Sequence, residues 1–320
     1  QANDLGEHAG PGLRVPPVSD DRKVDITVIR TRKLDPLENA MQLLFFLCGA
    51  VAVAFVLVIT VYLVVSGLPA IQKVGLGNFL LGTTWASASK TDPQYGILPF
   101  ILTSIYGTAG AILIGVPVGF LTAMFLAKAA PAKLAAVIRP AVDLLAGIPS
   151  VVYGMVGMVV LLPGIRGLFH LKAGDTLLAA ILVLAVMILP SIISVSETAL
   201  RAVPREYEEA SLALGATEME TYFRVSAPAA KSGIAAAVVL GVGRAIGEAM
   251  AIMMVAGNAA NMPGLFKSVK FLTTAVASEM SYAADGSLQK MALFSIGLVL
   301  FLFIMMINVF LNLVLKREKE

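Results

Sequence analysis

The sequence predicts an all-α integral membrane protein with six transmembrane helices. Three observations predict it. Of 320 residues, 58% are apolar and 14% charged, with a mean hydropathy of +0.86, whereas a soluble domain is about 45–50% apolar and about 25% charged. Six apolar stretches follow one another, at 41–65, 98–126, 141–162, 177–195, 233–256 and 291–315, each long enough to cross about 30 Å of hydrocarbon. Lys and Arg concentrate in alternate connecting segments.

Residues 1–40 are polar, rich in Pro and Gly, and charged at both signs. They predict a largely disordered tail with a short ordered piece over 24–30. The membrane domain follows over 41–316, its core over 95–315, and residues 317–320 form the end. The first apolar stretch is too long and too far from the start for a signal peptide. It contains the single cysteine, Cys48, which has no partner for an internal disulfide.

With the N-terminus placed in the cytoplasm, the cytoplasmic segments hold 16 Lys and Arg and the external segments 7. The excess puts both termini inside. The remaining cation, Arg244, falls within the fifth span. A net charge of +3 without a basic stripe points away from a nucleic-acid partner. The external segments 75–95 and 262–285 are long enough to hold short helices. Pro117, Pro149 and Pro190 are expected to break their spans. Gly and Ala are dense at 107–123 and 233–247, which suits close helix packing or a helix that bends to open a pathway.

The loop 199–232 is the most informative segment. It reads AVPREYEEASLALGATEMETYFRVSAPAAKSG over 202–233. Pro204 suits a first helical position, and Glu206, Glu208 and Glu209 suit the positive end of a helix. Tyr207, Ala210, Ser211 and Leu214 share one face at i, i+3, i+4 and i+7. Gly215 ends this helix. Thr217 and Glu220 form a capping box that starts a second helix at once, with Met219, Tyr222 and Phe223 as its apolar face. The polar face is acidic. A helix seeking anionic lipid would be rich in Lys and Arg there, so the elbow favours a protein partner.

The fifth span holds the other candidate site. Arg244 and Glu248 are four residues apart, one turn apart on one helix face. Intramembrane charges are costly and face the bundle interior or an aqueous path. The pair reads either as a packing pin or as an anion site, since a guanidinium offers charge-assisted donors suited to an oxyanion. Ser150 and Tyr153 flank Pro149; they either line the path or bond carbonyls freed by the proline. Asp143 and Glu197 lie near span ends, and Glu197 is spaced to pair with Arg201.

No G-x4-G-K-[ST] phosphate loop is present, so the chain lacks the means to hydrolyse ATP. His8 and His170 are far apart and make no metal site. No H-E-x-x-H pattern or Ser/His/Asp arrangement suggests a catalytic residue.

Glu209-Ala210-Ser211, three residues, Gly215, nine residues, then Val225-Ser226-Ala227-Pro228 resembles the EAA loop of ABC importer permeases, E-A-A-x3-G-x9-I-x-L-P. Ser211 and Ala227 depart from it, both with small side chains. The segments 240–258 (GVGRAIGEAM and GN), 144–154 (LLAGIPSVVYG), 95–107 after Trp85, and 286–300 (GSLQKMALFSIGLVL) resemble the phosphate-specific members, in the C-type of their two permease subunits. The resemblance covers about 70–315.

That resemblance implies a type I ABC importer permease fold in a bacterial inner membrane, with cytoplasmic coupling helices. Glu209, Ala210 and Gly215 would engage an ATPase. Arg244 and Glu248 would take part in phosphate passage. The implied partners are a second homologous permease, two ATPase subunits that hold the ATP and Mg, and a periplasmic phosphate-binding protein. No cofactor is expected on this chain. Another oxyanion, sulfate or molybdate, remains an alternative substrate, and a motor-independent channel or carrier an alternative class.

Overall fold

A computed structural model describes residues 36–89 and 91–317. The tail expected over 1–35, with its ordered piece at 24–30, and residues 318–320 lie outside the described residues. The chain divides into two compact units, 1–57 and 58–320. The described part of the first is the opening of α1, Pro36–Val74. Its residues 41–57 are all exposed and almost all apolar, as suits a helix facing lipid.

In the second unit, α1 ends at Val74 and α2, Leu76–Leu81, follows. A two-stranded hairpin pairs β1, Trp85–Ala86, antiparallel with β2, Gln94–Tyr95. α3, Leu98–Met124, continues as a π-helical turn over Phe125–Ala129. Next come α4, Ala132–Gly147; α5, Ser150–Val156; a π-helical turn over Gly157–Leu161; and α6, Leu162–Leu168. α7, Leu177–Arg201, leads to α8, Arg205–Ala213, and α9, Glu218–Thr221. A third π turn, Tyr222–Ser226, and the single turn α10, Ala227–Ala229, precede α11, Lys231–Gly247. α12, Met250–Val255, α13, Leu272–Glu279, and α14, Leu288–Arg317, complete the order.

Five helical stretches among the described residues are long and apolar enough to span a membrane: Ala40–Val74, Leu98–Ala129, Ser150–Leu168, Leu177–Arg201 and Leu288–Val309. A sixth qualifies only as a pair, Glu218–Ala229 with Lys231–Gly247, bent by 73°. The third span differs from the expected 141–162. Pro149 has no N–H to donate and forces Ile148 into extended backbone (φ −68°, ψ 128°), so α4 stops and the span starts afresh at Ser150. Pro117 and Pro190, also expected to break helices, lie inside continuous α3 and α7. Pro190 is buried and Pro117 exposed, and each helix runs on despite the missing bond. The segment 75–95, long enough to hold short helices, contains α2 and also the hairpin, whose two-residue strands are too short to show an alternating pattern.

α7 is the axis of the bundle. Leu184, Met187, Ile188 and Ile192 are essentially fully buried among α3, α11 and α12. Thr176 starts α7 by accepting a hydrogen bond from the Ala179 N–H. Lipid supplies little hydrophobic force between helices, so close van der Waals contact must hold them. Gly115 and Gly119 of α3 provide that contact: a Cβ at Gly115 would lie 2.6 Å from Ile188, and one at Gly119 2.8 Å from Ile192. The two ends of α7 define two faces. Its N-terminus bonds to the 265–267 segment, beside the hairpin and α13. Its C-terminus runs into the α8–α9 elbow.

Candidate functional site

α11 carries Arg244 in its last turn, where the helix dipole favours a cation. The expected single helix over 233–256 does not form. α11 stops at Gly247, Glu248 is extended (φ −72°, ψ 128°), and α12 begins at Met250. Arg244 and Glu248 are therefore not stacked on one helix face and make no ion pair. The Glu248 carboxylate turns forward instead, and its Oε1 accepts the Ala251 N–H at 2.9 Å. The backbone carbonyl of Glu248 accepts the Thr273 hydroxyl at 2.8 Å, which ties the break to α13. A carboxylate on an orphan helix N–H is a charge-assisted bond, and it competes with Arg244 for the same oxygens.

Arg244 is half-buried. Among the described residues its guanidinium donates no hydrogen bond to a protein group and joins no ion pair. It lies close enough to act electrostatically on the Tyr153 phenol. α5 and α12 approach so closely that a Cβ on Gly154 would meet Ala251 at 3.0 Å, which brings Tyr153 toward the break. The Tyr153 hydroxyl donates to the Leu145 carbonyl at 2.7 Å, which also accepts the Ile148 N–H at 3.3 Å at the α4–α5 break. Ser150 opens α5, half-buried, and no hydrogen bond joins it to Arg244 or Glu248 among the described residues. Of the four residues expected on the path, Arg244 lies within electrostatic range of Tyr153, Glu248 caps α12, and Ser150 stands at the other break.

At the elbow, local reading and structure agree closely. Gly215 takes φ +88°, a left-handed conformation open to glycine at little cost. Thr217 and Glu220 form the reciprocal capping box. Pro204 occupies the capping position just before Arg205 rather than the first turn. Leu214 is 90% exposed, and Tyr207, Leu212, Met219 and Phe223 are exposed beside it. Ser211 bonds the Thr221 hydroxyl at 2.9 Å and locks α8 to α9. Glu209 and Ala210 are exposed, and neither Glu206 nor Glu209 is in an ion pair among the described residues.

Glu208 behaves differently from the other acids. It forms an ion pair with Lys128 and accepts the Ser226 hydroxyl at 2.7 Å. Burial pushes its carboxyl up, but the bonds from Lys128 and Ser226 outweigh this and hold it below the ordinary carboxylate value. Lys128 is 80 positions away in the chain, so no local pattern could have announced the pair. Arg139 is a similar case: its Nε joins Arg201 Nε on Glu197 Oε1, at 2.7 and 2.9 Å. Only the Glu197–Arg201 half was visible as an i, i+4 spacing.

A third charged cluster lies at the hairpin end. Glu279 accepts Trp85 Nε1 at 3.1 Å, Ser87 Oγ at 2.9 Å and Lys270 Nζ at 2.5 Å. Burial raises the Glu279 carboxyl, while Lys270, Ser87 and Trp85 together bring it below its usual value. Asn258, which bonds back to the Met253 carbonyl at 2.7 Å, and Gln289 help line the cavity of about 420 Å³ beside it.

A bundle of membrane-length apolar helices, with an arginine in the last turn of α11 and a two-helix elbow at one end, has the architecture of a membrane permease. The chain belongs to the family described as "Binding-protein-dependent transport system inner membrane component", which residues 115–319 match. It is 40% identical over 286 residues to a probable ABC transporter permease protein, YqgH, of Bacillus subtilis, covering 87% of this chain and 92% of that protein. It is 37% identical to the phosphate transport system permease protein PstC of Haemophilus influenzae, covering 82% and 88%. The fold is similar to a chain of the MetNI methionine ABC transporter in inward-facing conformation, with a TM-score of 0.52 at 22% identity over 70% of this chain and 94% of that one.

Proposed function

We propose that this chain is the permease subunit of an ATP-driven importer that moves inorganic phosphate into the cytoplasm. The observation that carries the reading is the Arg244 guanidinium: half-buried within a span, released from Glu248, and left with all its donors for an oxyanion. The similarity to phosphate transport permeases over most of the chain favours phosphate among oxyanions. Glu248, fixed beside the break, keeps an anion from settling there, and Tyr153 and Ser150 border the route. One cation in a wide path attracts phosphate without trapping it.

Membership of the family supports the following partners. A second homologous permease completes the pore. Two ATPase subunits, which hold the ATP and Mg, dock on the elbow through Glu209, Ala210 and the turn at Gly215. A periplasmic phosphate-binding protein docks at the hairpin end. Both termini lie in the cytoplasm of a bacterium, with the bundle in its inner membrane. The test is reconstitution of the whole assembly in liposomes with labelled phosphate. Arg244→Gln should abolish ATP-dependent uptake while the assembly stays intact. Unchanged uptake, or equal uptake of sulfate or molybdate in competition, would overturn the reading.

A further inference from the structure

Docking at the elbow drives transport only if displacement of α8 and α9 reaches the spans. One connection in this fold is built to carry it. The π-helical turn Phe125–Ala129 ends α3, and it is held from two directions. On one side, Leu126 O accepts hydrogen bonds from Arg139 of α4 at 3.1 Å and Arg201 of α7 at 3.0 Å. Both arginines are themselves fixed by Glu197. On the other side, two residues further on, Lys128 pairs with Glu208 of α8. The Tyr222 hydroxyl donates to the Lys128 carbonyl at 3.3 Å, and the Ser226 hydroxyl donates to Glu208 at 2.7 Å. The Lys128 and Glu208 side chains are only 10% and 18% exposed.

An ion pair so shielded from water resists separation, because parting it would leave a poorly solvated charge on each side. Wide π turns also occur often at functional positions in helices. We infer that the Lys128–Glu208 pair is the mechanical link that passes elbow movement to α3, with Arg139 and Arg201 fixing the turn on its far side. The inference rests on the reading of the elbow as the ATPase dock. Lys128, Glu208 and Ser226 are positioning residues in it: none touches phosphate or nucleotide.

A purely structural brace would lower the amount of assembled transporter. A link would lower phosphate moved per ATP hydrolysed by transporter that does assemble. The test uses the complete reconstituted transporter, with ATP hydrolysis and labelled phosphate uptake measured together. Lys128→Met and Glu208→Gln should each keep ATP hydrolysis while phosphate per ATP falls about tenfold, within the range of typical coupling energies. The swap of Lys128→Glu with Glu208→Lys should restore most of that ratio, as a direct pair requires. Ser226→Ala, which leaves the pair in place, should lower the ratio by about twofold.

Single variants with an unchanged ratio, or a swap no better than the singles, overturn the inference. If the single variants do not assemble, Ser226→Ala decides: an unchanged ratio overturns it. Leu214→Asp separates this failure from failure of the dock. If ATPase still co-purifies with Leu214→Asp, the elbow is not the dock. If ATPase is lost there while Lys128→Met couples normally, only the link is wrong.

Discussion

Two carboxylates show how the same group does different work according to its partners. Glu248 is a cap by geometry and a negative charge beside Arg244 by position. Glu248→Gln keeps a carbonyl oxygen able to accept the Ala251 N–H, while Glu248→Ala removes it. Loss of a capping acceptor costs about 1 kcal/mol, so Glu248→Ala should loosen the α11–α12 break and reduce yield of folded protein, with Glu248→Gln near wild type. If the charge also keeps anions from settling, Glu248→Gln should bind phosphate more tightly and release it more slowly, measured as a lower uptake rate at saturating phosphate. Equal uptake in Glu248→Gln and wild type would confine Glu248 to capping. Glu279 makes a prediction about pH. Its folded value is depressed, so the stability it contributes is complete above the ordinary glutamate value, about 4.3. It is lost as pH falls from there through the folded value. Trp85, the one tryptophan, donates to this carboxylate and reports on it. Its fluorescence should stay level from neutral pH to about pH 5 and change only on further acidification, and Glu279→Gln should remove the change. A transition at neutral pH, or one retained in Glu279→Gln, would contradict the assignment.

Elements built by local rules were legible before the fold was known. The α8–Gly215–α9 elbow is the clearest case, because a left-handed glycine and a capping box depend on residues three or four apart. Gly215→Ala tests how far that local chemistry matters. A Cβ there meets nothing within 4 Å, so the effect is backbone strain alone, about 1–2 kcal/mol for a left-handed non-glycine residue. Co-purification of the ATPase should fall by about fivefold or more, whereas Gly77→Ala, on an open helical turn of α2, should change nothing. Equal recovery in both would show that the turn geometry is not needed for docking. Spans were legible in number and approximate place for the same reason: hydropathy is additive along the chain. Their breaks were not. Pro117, Pro149 and Pro190 look alike in sequence, yet only Pro149 separates helices. The break at Glu248 carries no proline at all. It exists because a side chain found a backbone N–H three residues on, and the i, i+4 rule fails once the residues leave one helix. The Lys128–Glu208 and Arg139–Glu197 pairs join distant segments and left no periodic trace.

The second unit, 58–320, has a direction set by α7. α7 is 25 residues long, about 37 Å at the α-helical rise, enough to separate the two faces by the thickness of the hydrocarbon core. One face carries the hairpin, α13 and the Glu279 cluster; the other carries the elbow and the π turn that ends α3. The orientation proposed from the charge asymmetry of the connecting segments puts the elbow inside, and the proposed function depends on it, because an ATPase and its nucleotide are available only on the cytoplasmic side. Cysteine accessibility tests the orientation directly. The chain has one cysteine, Cys48, so Cys48→Ser gives a background without thiols. Leu214, 90% exposed, and Tyr282, 88% exposed, sit at opposite faces. In intact cells a membrane-impermeant thiol reagent should label the Tyr282→Cys protein and spare the Leu214→Cys protein. Once the inner membrane is permeabilised, both should react. Co-expression of the ATPase should then protect position 214 and leave 282 open. The reverse labelling would invert the bundle and remove the elbow from the side where ATP is found, which no adjustment of the Arg244 site could repair.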